Sequence, residues 1–153
     1  MSNVLANQIY WTLCDALDER GWSYEKEEDK LLVHFGVSGK DIPMQILILV
    51  DADRQLIRVM SPIGFRMKQE NLLDGAIACT VASYGMVDGN FDYDVSDGSI
   101  VYRLTASYRG SQIGKGLFHY LIDCTCATVD DYNEKFLGLN TGALTLQDFI
   151  EQA

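Results

Sequence analysis

Hydrophobic residues recur with two different periods along this chain, and the switches between periods mark out the elements. From Asn3 to Arg20 the period is helical, with Leu5, Ile9, Leu13 and Leu17 returning every four residues and Ala16 beside them. Asn3 is a fitting N-cap, and Gly21 follows where a left-handed C′ position favours glycine. The period then changes to two. Trp22 to Glu27 alternates weakly, and Lys30 to Val37 alternates well, with Leu31, Val33, Phe35 and Val37 in phase. After a Ser38–Asp41 turn, a strand over 42–50 places Ile42, Met44, Ile46, Ile48 and Val50 on one face and Gln45, Leu47 and Leu49 on the other. Asp51-Ala52-Asp53 turns the chain into a fourth strand over 56–60, ended by Ser61-Pro62.

A second helix is expected over 69–87, with Leu72, Leu73, Ala76, Ile77, Thr80, Val81 and Tyr84 holding the period. Small residues are dense in it, which implies a closely packed neighbour, and Gly75 weakens it by about 1 kcal/mol relative to alanine. The strongest local signal comes next, in NFDYDVSDGSIVYRLTASY from Asn90 to Tyr108. Asp97-Gly98 between alternating runs predicts a two-residue type I′ hairpin. That register pairs Val95 with Ile100, Tyr93 with Tyr102 and Phe91 with Leu104 on one face, and Asp92 with Arg103 and Asn90 with Thr105 on the other. A long helix follows over 111–137. One stripe runs through Ile113, Leu117, Tyr120, Leu121 and Cys124, and a second through Phe118, Ile122, Cys126 and Val129, so two surfaces must cover it. A loop over 138–142 and a short helix capped by Thr145, with Asp148 as its capping-box partner, close the chain. The fold class is therefore α+β: one antiparallel sheet of five or six strands with helices packed mainly on one face, in a single domain over 1–153.

Composition narrows the function classes. Twelve basic residues against 22 acidic ones give a net charge of −10, which speaks against a nucleic-acid backbone or an anionic membrane surface as partner. No apolar run approaches the roughly 18 residues of a transmembrane helix. The start MSNVLANQIYW lacks the charged and apolar regions of a signal peptide. Cys14, Cys79, Cys124 and Cys126 sit in apolar helical patterns and read as reduced thiols, so a cytoplasmic location is expected.

Few residues suggest chemistry. Asp92-x-Asp94-x-Ser96 lacks the sixth-position glycine and twelfth-position glutamate of a calcium loop. Gly110-Ser-Gln-Ile-Gly114-Lys115-Gly116 follows a strand and opens a helix, but it has three residues rather than four between its first glycines and no Ser/Thr after the lysine. A small-molecule or nucleotide site there is the alternative function. Cys124-x-Cys126 has neither zinc nor redox spacing, and His119, Asp123 and Cys126 share a helix side without a fourth ligand. His119 and Asp123 have no evident nucleophile beside them, and the acidic run Glu25–Asp29 reads as a solvated turn. No catalytic residue, cofactor or metal is expected. The informative feature is the second sheet face, where Leu32, Leu47, Leu49, Leu56 and Met60 should lie with His34 and Arg58 among them. An apolar strip of that kind marks a protein contact.

The order helix, strands, helix, hairpin, helix, with Gly89-Asn90-Phe91 ahead of the Asp97-Gly98 turn and Ile100-Val101-Tyr102-Arg103 behind it, resembles the YbjN-type family, whose fold is similar to that of type III secretion chaperones. The resemblance spans roughly residues 3 to 137. It implies a compact α+β domain, frequent homodimers, no established enzyme activity and the label of sensory-transduction regulator. Chaperones of that fold are small, acidic and dimeric and bind extended client segments. Residues 138–153 stand outside it. The expected function is a non-catalytic protein-binding module, chaperone-like or regulatory, docking a partner segment through Leu32, His34, Leu47, Leu49, Leu56 and Arg58. A homodimer is expected because the twin-striped long helix and the two-sided strand over 46–50 carry more apolar surface than one thin layer covers.

Overall fold

In a computed structural model, the described residues, 2–153, form one six-stranded antiparallel sheet and four α-helices. The chain runs α1 (Ser2–Glu19), β1 (Glu25–Glu27), β2 (Leu32–Val37), β3 (Met44–Asp51), β4 (Leu56–Pro62), α2 (Leu72–Tyr84), β5 (Asn90–Asp94), β6 (Ser99–Ser107), α3 (Lys115–Thr141) and α4 (Leu146–Gln152). Neighbouring strands lie in the order β1-β2-β3-β4-β6-β5, which leaves β1 and β5 as edges. The α+β class with helices on one face is as the hydrophobic periods require.

The inner face of the sheet is a row of buried β-branched and aromatic residues: Val33, Phe35, Ile46, Ile48, Ile57, Val59, Ile100 and Tyr102. α1 closes one end of it through Ile9, Leu13 and Leu17, and α3 crosses it with Phe118, Ile122 and Val129. The second stripe of α3 is not free for a partner. α1, α2 and α4 all pack against α3 within the same chain. Phe91, Tyr132, Phe136 and Phe149 meet there in an aromatic cluster, with Phe136 and Phe149 centroids 5.3 Å apart. The twin stripes of this helix therefore give no support to the dimer argument.

Four local readings are corrected. Strand β1 keeps only Glu25–Glu27; a 3-10 turn at Glu28–Lys30, ending on Leu31 at φ 53°, separates it from β2. The fourth strand runs on through Ser61 and Pro62, because the Ser61 hydroxyl donates to the Gln45 carbonyl at 2.7 Å and Pro62 pairs with Val101. The hairpin closes two residues away from the predicted register, pairing Tyr93 with Ile100 and Phe91 with Tyr102. Its loop has four residues, since Asp94 organises it: the Asp94 carboxylate accepts the Ser96 N–H at 2.9 Å, and the Asp94 carbonyl accepts the Gly98 N–H at 2.8 Å. Only Gly98 takes a positive φ, so the turn is not type I′. A shift of two keeps the paired side chains of both strands on their predicted faces, although Val95 moves into the loop, and Asp92 still bridges to Arg103 at 2.9 Å.

The fourth correction is at the C-terminus. α3 continues through 138–141, and Gly142 at φ 86° ends it. Gly138 lies inside the helix, where a Cβ would press on Leu144 at 3.0 Å. This extension of about one turn is structural. The buried Asn140 side chain accepts the Lys68 N–H at 2.8 Å and donates to the Arg66 carbonyl at 3.1 Å, pinning the segment before α2. α4 begins with the predicted capping box, Thr145 with Asp148, and seats Phe149 fully in the core. Leu139 and Phe149 thus anchor residues 138–153 to the hydrophobic core.

Candidate functional site

Sheet parity turns alternate residues of each strand away from the helices. Register then sets which of these meet. Leu32 on β2 lies opposite Leu49 on β3, which lies opposite Arg58 on β4 and, beyond it, Thr105 on β6. One step along the strands, Glu25, His34, Leu47, Met60, Arg103 and Asn90 follow one another across all six strands. Leu56 sits at the near end, paired with Asp51 and Ser107. The six residues singled out from the sequence, Leu32, His34, Leu47, Leu49, Leu56 and Arg58, are therefore brought onto one face, together with Met60.

Each of these side chains is half-buried. Leu32, Leu47, Leu49, Leu56 and Met60 are neither in the buried core nor packed against it. The strip has a charge polarity as well. Glu25 and Glu27 flank it on the β1 side, while Arg58 and Arg103 flank it on the other. Arg58 is loosely tied to Asp51 at 3.9 Å, and Arg103 is held by Asp92. An apolar band between an acidic and a basic border suits an extended peptide with apolar anchors, and it offers no nucleophile beside a base.

The other candidates dissolve into structure. Gly110 to Gly116 is an open surface turn, and a Cβ at Gly110, Gly114 or Gly116 would meet nothing within 4 Å, so no cradle surrounds these glycines. Lys115 points to Glu19 at 3.6 Å. Asp123 is engaged by both guanidinium nitrogens of Arg20, at 2.5 and 3.0 Å, which holds its carboxyl below the usual carboxylate range and joins α1 to α3. His119 approaches the Ala16 carbonyl at 3.3 Å and Glu19 at 3.8 Å. Among the described residues no group of His, Cys, Asp and Glu side chains is arranged to hold a metal ion. All four cysteines are free; burial pushes Cys79 up to about 12 and Cys126 up to about 11, the opposite of an activated thiol.

Sequence reasoning missed a second apolar surface. In α2 the buried stripe is Gly75, Ala78, Cys79 and Ala82, which recur at i, i+3, i+4 and i+7. The larger residues that carry the helical period point outward: Leu73 is 78% exposed, Ile77 43% and Tyr84 94%. The cause is close approach. A Cβ at Gly75 would come within 2.6 Å of the Tyr93 hydroxyl, which donates to the Leu72 carbonyl at 2.7 Å. The density of small residues was the available signal. It marks the inward face of a helix that must sit tight against β5.

The sheet order β1-β2-β3-β4-β6-β5 with helices packed mainly on one face defines an open-sheet α+β fold. Among solved structures, the chain is similar to a chain in the crystal structure of the ExsC-ExsE complex, with a TM-score of 0.52 and 12% identity over 87% of this chain and 93% of that one. At that identity the likeness is one of fold. No family model matches the chain, and no curated protein matches it. Among the described residues no helix is long and apolar enough to cross a membrane.

Proposed function

We propose that this chain is a non-catalytic protein-binding module, chaperone-like or regulatory, that docks an extended segment of a partner protein on the outer face of its sheet. The observation that carries the reading is the apolar strip Leu32, Leu49, Leu47, Met60 and Leu56, which lies outside the packed core while the helices pack mainly on the opposite face. Its length across three central strands matches a partner bound in an extended form, with alternate side chains set against the leucines. The fold shared with a chain of the ExsC-ExsE complex, itself an assembly of two proteins, is consistent with this use. Membership of the YbjN-type family, a cytoplasmic location and a homodimeric state belong to the same reading.

The test is affinity capture with the intact chain and with Leu47→Asp and Leu49→Asp, each checked for an unchanged thermal midpoint. A carboxylate buried without a partner costs more than about 1.4 kcal/mol, so a partner retained by the native chain should be lost at least tenfold. Identical capture profiles for the native chain and both variants would refute the assignment.

A further inference from the structure

The shoulder where α1 meets β1 holds a cation between two aromatic rings. The Lys26 ammonium lies 5.6 Å from the centroid of the Trp11 ring and 5.8 Å from that of Tyr24, inside the range over which a ring face attracts a positive charge. Strand parity puts it there. Lys26 pairs with the core residue Val33 and so turns toward the helices, while Glu25 and Glu27 turn to the outer face. Trp11 is 48% exposed although the adjoining Tyr10, Leu13 and Cys14 are buried, and it meets Tyr10 edge-on at 5.9 Å. Tyr24 is fixed through its hydroxyl, which donates to the Asp18 carboxylate at 2.8 Å. Asp15 and Asp18 follow Trp11 by one and two turns on the same side of α1, and both are exposed. The result is a notch with two aromatic walls and a carboxylate border.

Charge singles out the occupant. Residues 15–29 hold seven acids and two bases, Arg20 and Lys26. Arg20 is engaged with Asp123, Glu19 with Lys115 and His119, and Glu27 with Lys30. Among the described residues the other five acids, Asp15, Asp18, Glu25, Glu28 and Asp29, enter no ion pair, and neither does Lys26. With carboxylates on both sides of it in sequence, Lys26 settles on ring faces instead, which marks the notch as a seat for a cation. An ammonium fills such a seat as a point charge. A guanidinium is flat and less strongly hydrated, stacks on ring faces and donates two parallel bonds to a carboxylate. We propose that Trp11, Tyr24, Asp15 and Asp18 form a receptor for an arginine side chain of a partner protein, and that Lys26 is a resident plug which the arginine displaces. This rests on the reading of the chain as a protein-binding module. It lies around the β1 edge from the outer sheet face and names one side chain that the partner must bring.

The probe is a capped glycine–serine–arginine–serine–glycine peptide, and its counterpart carries citrulline, the uncharged isostere of arginine. Each is titrated into the intact chain while the Trp11 indole and Tyr24 ring signals are followed by NMR. The arginine peptide should move both signals saturably and bind at least tenfold more tightly than the citrulline peptide. Lys26→Ser removes the plug and should tighten the arginine peptide at least fivefold. Lys30→Ser removes the same charge from a lysine held by Glu27, outside the notch, and should leave the affinity within twofold. Trp11→Ala, read on the Tyr24 signals, should weaken binding at least fivefold; the two lysine variants carry the test where this variant lowers stability. Equal binding of the two peptides, an affinity that Lys26→Ser does not raise, or equal tightening by Lys30→Ser overturns the proposal. So does free spermidine that moves the same signals at least tenfold more tightly than the arginine peptide, since the occupant is then a small polyamine. Failure on any of these counts, with partner capture still lost in Leu47→Asp and Leu49→Asp, removes the notch and leaves the outer-face reading standing. A partner captured equally by those two variants and the native chain, but held more tightly by Lys26→Ser, does the reverse.

Discussion

Gly89→Ala tests whether the residues behind the family resemblance are architectural. Gly89 sits at φ 75°, and a Cβ there would meet the Tyr102 hydroxyl oxygen at 2.5 Å, its Cζ at 2.7 Å and the Arg103 carbonyl oxygen at 2.8 Å. Tyr102 has nowhere to go. It is fully buried, donates to the Asp88 carbonyl at 2.8 Å and stands edge-on to Phe91 at 5.4 Å. An alanine therefore carries two costs: about 1 kcal/mol for the left-handed backbone, and about 2–4 kcal/mol for displacing the ring and its hydrogen bond. The control is Gly21, which has a φ of 69° but nothing within 4 Å of its missing Cβ, so Gly21→Ala carries the backbone cost alone. With a urea slope of about 2 kcal/mol per molar, the midpoint should fall by about 1.5–2.5 M for Gly89→Ala and by about 0.5 M for Gly21→Ala. Far-ultraviolet circular dichroism reads both. Equal shifts would refute the steric argument.

Two further outcomes follow from the packing and the titrations. Phe149→Ala should cost about 3–5 kcal/mol by emptying the aromatic cluster, and Thr145→Ala about 1 kcal/mol through the cap alone; a C-terminal helix that could be removed without effect in urea melts would show that the cluster is closed without it. At alkaline pH, burial pushes Cys79 up to about 12, and burial followed by the neighbouring Cys14 and Glu28 pushes Tyr10 up to about 12. Both groups are protonated in the folded chain at a pH where the unfolded chain has begun to lose those protons. Their contribution is thus complete below about pH 9 and is lost as pH rises toward 12, at about 1.4 kcal/mol per pH unit for each proton by which the two states differ. Urea midpoints measured from pH 7 to 11 should be level at first and then fall. A level profile throughout would contradict the burial of these groups.

What the sequence made legible follows from what a period can carry. A period of two assigns faces, and faces survive any register error of two residues. Phe91 and Tyr93 therefore reached the core although Val95, placed opposite Ile100 by the two-residue turn, ends exposed in the loop. The side chain of Asp94 made the difference there, and a hydrogen bond from a side chain to its own loop leaves no periodic trace. The same logic gathered Leu32, Leu47, Leu49 and Leu56 on the outer face before any strand order was known. α2 failed for the complementary reason. Apolar on nearly every side, it has no polar stripe to point outward, and the bulk of Leu73 and Ile77 argued for the wrong side. Distance settled it, since the stripe of Gly75, Ala78, Cys79 and Ala82 is small enough to let the helix close on β5, where the Leu72 carbonyl receives the Tyr93 hydroxyl bond.

That outcome separates the two apolar surfaces by their chemistry. The outer sheet face lies between Glu25 and Glu27 on one border and Arg58 and Arg103 on the other, so it can accept a segment carrying charges of both signs. On the α2–β5 side Asp92 and Asp97 are met by Arg103 at 2.9 Å and Arg66 at 3.7 Å, so what distinguishes that surface is the exposed apolar stripe of Leu73, Ile77 and Tyr84.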